Sequence, residues 1–194
     1  MAISPAATDA AIPTANQLLA DWVEEFAGGV HDEIADLSPA ALAWQPRPRA
    51  NGIGITVWHC ARWLDVIAVQ ALRALPADQE LWHTQGWAAS TGYDPRGHGQ
   101  AGLGNLTGYT WDEVLAIPVL PAADLLAYVD QVTAALAGQL RAMAPAQLFT
   151  QAPGFNGRRT AYRWVRPILQ GCFGHLGEIE ALRAWRASEP ASAA

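Results

Sequence analysis

The sequence predicts an all-α fold, a four-helix bundle with one long irregular loop between helices two and three. Apolar residues recur at three- and four-residue intervals in four long segments, which is the period of a buried helix face. No stretch of any length alternates apolar and polar residues in the manner of a strand. The 194 residues are 51% hydrophobic and 15% charged, which indicates one compact domain rather than a disordered chain.

The first predicted helix begins near Thr14, which can serve as its N-cap, and ends at about Asp36. Its inner face is marked by apolar residues: Leu18, Leu19, Trp22, Val23, Phe26, Val30 and Ile34. The alanine-rich residues 1–13 are expected to form a flexible N-terminus. A short helical turn is predicted at Ser38-Pro39, because serine caps helices and proline suits the first helical position.

The second long helix is predicted from about Thr56 to Leu75 and carries His59 in its first turn. Residues 76–109 then form the long irregular loop. A loop of this length is uncommon in a compact domain unless it is functional or disordered. Because it is rich in tryptophan and tyrosine, we expect it to be a lid, or an arm packed on the bundle or on another subunit.

The third long helix is predicted from about Ala122 to Met143, and the fourth from about 160 to 187. Pro167 is expected to kink the fourth helix, because proline removes a backbone donor from a helix interior. Residues 14–187 are therefore predicted to form a single helical-bundle domain. The small residues 188–194 are predicted to be a flexible tail.

Composition and charge exclude several classes of function. The net charge is −6, lysine is absent and no basic stripe stands out, so nucleic acid is not expected as a partner. Cys60 and Cys172 are too few for a disulfide framework, and the N-terminus lacks the pattern of a signal peptide, so a cytoplasmic location is expected. No run reaches the roughly 18 uncharged apolar residues of a membrane span, so no membrane association is expected.

The fourth helix sets His175 and Glu178 three residues apart, which makes them neighbours on the surface of a mostly apolar helix. An imidazole and a carboxylate are costly to bury unless something binds them. This pair therefore indicates a metal site or a proton-transfer site. The alternative is a histidine and a glutamate at the edge of the core, each hydrogen-bonded to backbone or water.

Three segments resemble those of the DinB/YfiT-like superfamily in order and spacing. They are the L-x-W-x-P segment at Leu42, the histidine-bearing segment Gly52–Arg62, and the H-x-G-x-I-x-x-L-R segment that begins at His175. The resemblance covers the chain from about Ala15 to Trp185. It implies a four-helix bundle, often dimeric, whose divalent metal (commonly nickel, zinc or iron) is held by three histidines. It also implies metal-dependent thiol transfer, isomerase or hydrolase-like activity.

The resemblance assigns His59 as the metal ligand from helix two and His175 as the second histidine of an H-x-x-x-H pair on helix four. The first histidine of that pair would fall at position 171, which is glycine. Glu178 lies nearly two turns beyond Gly171 and so on almost the same helix face. The predicted metal ligands are therefore His59, His175 and Glu178, a set suited to zinc or iron.

Other arrangements of the site stay open at this stage. A third ligand could be the thiolate of Cys172, or His83 or His98 from the long loop. The remaining possibility is that no metal binds and the two helix histidines only form hydrogen bonds. One geometric test applies to all metal arrangements, since two imidazoles more than about 8 Å apart could not share a zinc ion through bonds of ~2.0–2.1 Å.

We therefore predict a metal-dependent enzyme, a hydrolase or thiol transferase, which acts on a small molecule and uses Glu178 as a ligand or as general base. Arg62 and Trp63 are candidates for binding the substrate, which could include a low-molecular-weight thiol. A cluster of four arginines would also suit one anionic group, or surface ion pairs: Arg158, Arg159, Arg163 and Arg166. The alternative function is a metal-free bundle that binds a small ligand or serves as a stress-related interaction protein. A homodimer is expected in either case.

Overall fold

The computed structural model describes residues 12–188. Within them the chain forms eight α-helices, namely α1 (Ala15–Ile34), α2 (Pro39–Ala43), α3 (Ile53–Val66), α4 (Leu81–Thr84), α5 (Trp87–Thr91), α6 (Trp111–Leu115), α7 (Ala122–Ala142) and α8 (Ala161–Ser188). The described residues contain no strand, only an isolated bridge between Gln151 and Thr160. The predicted all-α class is confirmed. The predicted flexible ends fall almost entirely outside the described residues.

Four long helices enclose the core, with α1 packed against α7 and α8, and α3 packed against α7 and α8. The buried stripe of α1 consists of Leu19, Val23, Phe26, Val30 and Ile34. The sequence also placed Leu18 and Trp22 on this face, and that prediction is wrong, since they are 47% and 52% exposed. Each precedes a buried residue by one position, which turns it about 100° around the helix and away from the core.

The helix α3 begins three residues earlier than predicted. Thr56 does not cap it, because its hydroxyl donates to the carbonyl of Gly52 at 3.0 Å from inside the first turn. The chain leaves α3 through a π-helical turn, Ile67–Ala71. The carbonyl of Ala71 in this turn accepts from the amide of Gly154, and a side chain at Gly154 would overlap backbone oxygens of the turn. The π turn therefore holds the loop that leads into α8.

Residues 76–109 contain α4 and α5 and pack against α3 and α7. The carboxylate of Asp65 on α3 accepts from the backbone amides of Leu81 and Trp82 at 2.9 and 3.0 Å. Arg62, one turn earlier, donates through Nε to the carbonyl of Gly104 at 3.0 Å. Buried polar bonds of this kind fix the segment on α3. As a result, the backbone around Gly104 lies directly beside the middle turns of α3.

The helix α8 is the longest element, with 28 residues, and it continues through Pro167. Its first turn is preceded by a closed loop, in which the amide of Ala152 donates to the carbonyl of Arg159 at 2.9 Å. No helix in the part of the chain from 12 to 188 combines the length and the apolarity that crossing a lipid bilayer demands.

Candidate functional site

The structure brings His59 of α3 and His175 of α8 together. Their ring centroids lie 5.1 Å apart, with the ring planes at 82°. The two side chains come from helices that pack against each other, although 116 residues separate them in the sequence. The separation is within the limit of about 8 Å that two histidines on one zinc ion require.

The imidazole of His59 is oriented by the backbone of the 76–109 segment, since its Nδ1 contacts the carbonyl oxygen of Asn105. A carbonyl can only accept, so Nδ1 must carry the hydrogen and Nε2 keeps a free lone pair in the neutral ring. Burial lowers the pKa of His59, and the nearby imidazole of His175 lowers it further, while the bond to Asn105 acts in the opposite direction. The neutral form of His59 is therefore favoured.

His175 has an equivalent arrangement on α8. Its Nδ1 lies 2.8 Å from a carboxylate oxygen of Glu178, one turn further along the helix. An ionised carboxylate also only accepts, so the Nε2 of His175 is again the free nitrogen. Histidines that bind metals commonly donate their other nitrogen to a carboxylate or a backbone carbonyl, and both rings follow this pattern. Glu178, predicted as a third ligand or general base, is in contact with the far side of the His175 ring.

The two imidazoles line a small cavity between α3 and α8, which we call the histidine cavity. Its volume is about 70 Å³, and its wall includes His59, Cys60, Trp63, Gly171, Cys172 and His175. This is room for about two water molecules at ~30 Å³ each. A Cβ atom built on Gly171 would meet no atom within 4 Å. The position where the superfamily pattern carries a histidine is therefore both empty of side chain and sterically open.

Two thiols form the buried side of the histidine cavity. Cys60 and Cys172 are free cysteines, exposed by 0% and 2%, on α3 and α8. The hydrogen bond between the two thiols raises the pKa of Cys60, and burial raises it further. Cys60 is therefore held as a neutral thiol, which is a poorer metal ligand than a thiolate.

The side chains of the cavity fit the metal that the resemblance implies only in part. The free Nε2 atoms of His59 and His175 suit a shared divalent ion, but zinc sites normally have at least three protein ligands. Among residues 12–188, no three side chains of His, Cys, Asp or Glu are placed to hold one ion. His83 and His98 do not line the cavity, and their rings lie near Asp94 (3.8 Å) and Glu113 (3.0 Å) respectively. The site thus supplies two of the required ligands.

The two residues predicted to bind the substrate occupy different places. Trp63 lines the histidine cavity, whereas Arg62 is fully buried and does not line it. The guanidinium of Arg62 donates to Glu80 at 2.6 Å, to Asp65 at 3.2 Å, and to other protein acceptors. Burial raises the pKa of Glu80, although Arg62 opposes this shift. Arg62 is therefore part of a closed network of buried charges.

Sequence reasoning missed the corner at Gly104 and Asn105, which orients His59. Gly104 has a φ of +62°, and a side chain there would overlap the backbone of Pro95. Glycine is the residue that adopts such a φ without strain. The richness of the 76–109 segment in glycine was the available signal, but it did not indicate which carbonyl would face His59.

Comparison with known proteins identifies a family and a similar solved structure. A family model described as the DinB superfamily matches residues 9–179 of this chain. The crystal structure of a conserved protein from Enterococcus faecalis is similar with a TM-score of 0.71 and 18% sequence identity, over 89% of this chain and 96% of that chain. A likeness at this identity shows the fold alone. No curated protein matches the sequence significantly.

Proposed function

The chain belongs to the DinB superfamily, and from this premise we propose that it is a metal-dependent enzyme that acts on a small molecule at the histidine cavity. The proposed reaction is hydrolysis or thiol transfer, in the second case with a low-molecular-weight thiol as co-substrate. The proposed metal is zinc, nickel or iron, with His59 and His175 as protein ligands. A homodimer is proposed as the assembly.

One observation carries this proposal, namely that both imidazoles keep Nε2 free while Nδ1 contacts an oxygen atom. The partners are the Asn105 carbonyl for His59 and the Glu178 carboxylate for His175. Two histidines that only filled space would have no reason to share this orientation. The ring separation of 5.1 Å is also close to the value of about 5 Å expected for two imidazoles on one tetrahedral ion with bonds of ~2.0–2.1 Å.

The residues of the cavity have distinct roles in this proposal. A divalent ion bound there would acidify a water or a thiol, or polarise a substrate oxygen. His59, kept neutral by burial, presents a lone pair to the ion, and in its absence the same lone pair can accept a proton. Glu178 positions His175 through Nδ1, and it could serve as a third ligand only after leaving that nitrogen. Trp63 walls the cavity on one side.

A second candidate is a metal-free bundle that binds a small ligand or serves as a stress-related interaction protein. The observation in its favour is Gly171, which leaves the cavity with two imidazoles where the superfamily pattern has three. Both candidates use the same cavity. They differ in whether two histidines suffice to retain a metal.

Metal analysis of untagged protein by mass spectrometry separates the candidates. We expect near one equivalent of metal in the wild type and its loss in His59→Ala and His175→Ala, because each variant removes one of two ligands. His31→Ala is the matched control, since His31 pairs with Asp130 at 2.8 Å outside the cavity and its loss should leave the metal content unchanged. Gly171→His should retain metal at a chelator concentration that strips the wild type, because a third imidazole is added.

The outcomes have separate meanings. A metal-free wild type together with a metal-binding Gly171→His variant would support the metal-free candidate, in which the site has lost one ligand. Metal that remains in both His59→Ala and His175→Ala would place the binding elsewhere and overturn the proposal. Light scattering of the same samples tests the proposed dimer.

A further inference from the structure

The histidine cavity is too small to hold a substrate. Its 70 Å³ compares with the ~300–1,000 Å³ of typical ligand pockets, so only a reacting group can enter it. The body of any substrate must lie in a neighbouring depression. Two such depressions share wall residues with the cavity, Pro167 in one case and Trp63 in the other.

The first depression, which we call the arginine groove, has a volume of about 750 Å³. Its wall includes Arg158, Arg159, Arg163 and Arg166, together with Thr160 and Pro167. No aspartate or glutamate of the described part of the chain lines it. The groove lies at the start of α8, where the helix dipole adds partial positive charge. The charged side chains of the wall are therefore all positive.

The four arginines of the groove form no ion pair with any of the residues 12–188 that the structure describes. Arg62, Arg96, Arg141 and Arg183 each lie within 4 Å of an aspartate or glutamate. Within residues 12–188, no such pair involves an arginine of the groove. The surface ion pairs that the sequence offered as one explanation of this cluster are therefore not seen in the described part of the chain. Four clustered guanidinium groups without carboxylates repel each other until an anion binds among them.

The groove and the cavity meet at Pro167 of α8, which lines both. Arg163, Pro167, Gly171 and His175 follow each other at intervals of four residues, and each is turned about 40° from the one before, so this track winds by about 120° around the helix. At a rise of about 1.5 Å per residue, the α8 backbone at Arg163 lies roughly 18 Å from that at His175. A molecule that joins the two ends of this track must therefore be elongated.

The second depression, which we call the tryptophan cleft, has a volume of about 310 Å³ and shares Arg158 and Arg159 with the groove. Trp63 and Trp164 line it, and the guanidinium carbon of Arg159 lies 4.9 Å from the centroid of the Trp164 ring. This cation–π contact holds Arg159 in place. Two donors of the cleft wall, the side-chain amide of Asn105 and the indole nitrogen of Trp164, are buried and have no partner in the described residues. Buried donors without partners are uncommon and are consistent with a ligand that accepts from them.

We infer that the arginine groove binds the anionic end of an elongated small-molecule substrate that carries a phosphate or at least two carboxylates. The reacting group of this molecule lies at its other end and reaches the histidine cavity past Pro167. This inference rests on the proposed function for the identity of the reactive centre. The binding of an anion in the groove does not depend on a metal.

Titration calorimetry with inorganic pyrophosphate, on protein treated with a chelator, tests the groove. We expect binding to the wild type and at least tenfold weaker binding to the Arg163→Ala/Arg166→Ala variant. The matched control is Arg47→Ala/Arg73→Ala, which removes two exposed arginines outside the groove and so changes the net charge equally. Its affinity should stay within twofold of the wild type. Circular dichroism confirms that each variant is folded.

His59→Ala separates this inference from the proposed function. If His59→Ala loses the metal but keeps its pyrophosphate affinity, both the metal proposal and the groove inference are supported. A wild type that binds pyrophosphate but never metal would refute only the metal proposal. The inference is overturned if the wild type does not bind pyrophosphate, if both arginine variants lose affinity equally, or if His59→Ala loses it. A parallel titration with tricarballylate assigns the ligand class, since the tighter of the two probes identifies phosphate or carboxylate.

Discussion

Arg62 and the four arginines of the arginine groove differ in what surrounds them. Arg62 is fully buried, and its guanidinium donates to Asp65, Glu80 and the carbonyl of Gly104. The arginines of the groove at the start of α8 are exposed, and no carboxylate of the described residues pairs with them. The same side chain thus serves two purposes. Arg62 holds the protein together, whereas the groove arginines offer their donors to a ligand.

The difference shows that closeness to the histidines along the chain does not make an arginine available to a ligand, because the protein must also leave its donors unused. Arg62 is only three residues from His59, yet its donors are used within the protein. Its bond to Gly104 also fixes the neighbouring Asn105, whose carbonyl accepts from His59. Arg62 therefore acts on the cavity indirectly, through the backbone that orients one of its imidazoles.

The largest expected effect comes from removing the buried arginine. Arg62→Met leaves the carboxylates of Asp65 and Glu80 buried without a cation, and breaking a buried ion pair in this way costs about 3–5 kcal/mol. Urea denaturation of the variant should show this loss in the free energy of unfolding. A loss below about 1 kcal/mol would show that the ion pairs of Arg62 with Asp65 and Glu80 do not stabilise the fold, and the contrast between Arg62 and the groove arginines would then have no basis.

The pH dependence of Arg62→Met gives a second measurement. Burial already raises the pKa of Glu80, and removing Arg62 takes away a group that lowers it. A carboxyl whose pKa is higher in the folded than in the unfolded protein stabilises the fold at low pH and loses this effect as the pH rises. The variant should therefore lose less stability, relative to the wild type, in mildly acidic than in neutral solution.

The sequence predicted the helices well because their stability depends on a local pattern. The periods of α1, α7 and α8 were visible, and their observed bounds differ from the predicted ones by two residues or fewer. The start of α3 was placed three residues late because Gly52 and Gly54 are typical of a loop, yet the helix begins between them at Ile53. The local sequence alone does not show that these glycines open a helix.

The site was only partly predictable, because the groups that orient its side chains include backbone atoms and residues distant in the sequence. His175 and Glu178 were identified by their spacing on a mostly apolar helix, and His59 through the family resemblance, which also assigned His175 as a ligand. The carbonyl of Asn105, 46 residues from His59, has no sequence signature, since every residue has a carbonyl. The partners of Arg62 are likewise remote, with Glu80 18 residues away. Such contacts depend on how the 76–109 segment packs.

A smaller effect is expected from a change in the corner that connects Arg62 to His59. Gly104→Ala places a Cβ on a backbone with a φ of +62°, which costs roughly 1–2 kcal/mol, and this Cβ would also overlap the backbone of Pro95. Gly138→Ala in α7 is the matched control, since no atom lies within 4 Å of its Cβ. It should stabilise the protein by about 0.5–1 kcal/mol, because alanine favours the helix.

The same glycine variants test the link to the cavity through the nuclear magnetic resonance signals of the His59 ring. Gly104→Ala should shift them, because displacement of Asn105 weakens the bond to Nδ1 and allows the other tautomer. Gly138→Ala should leave them unchanged. Signals that are unchanged in both variants would show that the corner does not orient His59.

A further expected effect is the pH dependence that His59 itself contributes to stability. Its pKa is lower in the folded protein than the value of about 6.5 in an unfolded chain, so the unfolded chain binds more protons between the two values. Stability should therefore fall as the pH decreases through this window and be fully present above it. His59→Asn should reduce this decline in urea denaturation at several pH values. An equally steep decline in the variant would contradict the burial of a neutral imidazole.

The smallest expected effect on stability is that of the groove, and it completes the comparison with Arg62. Substitutions of exposed residues usually change stability by less than about 0.5 kcal/mol. The variant Arg163→Ala/Arg166→Ala should stay within this range, and at low ionic strength its melting temperature should rise slightly, because two of four like charges are removed. Added salt should abolish the rise, since exposed charges are screened. A clear loss of stability would instead mean that the groove arginines have protein partners, and the contrast between an arginine held by the fold and arginines left for a ligand would no longer hold.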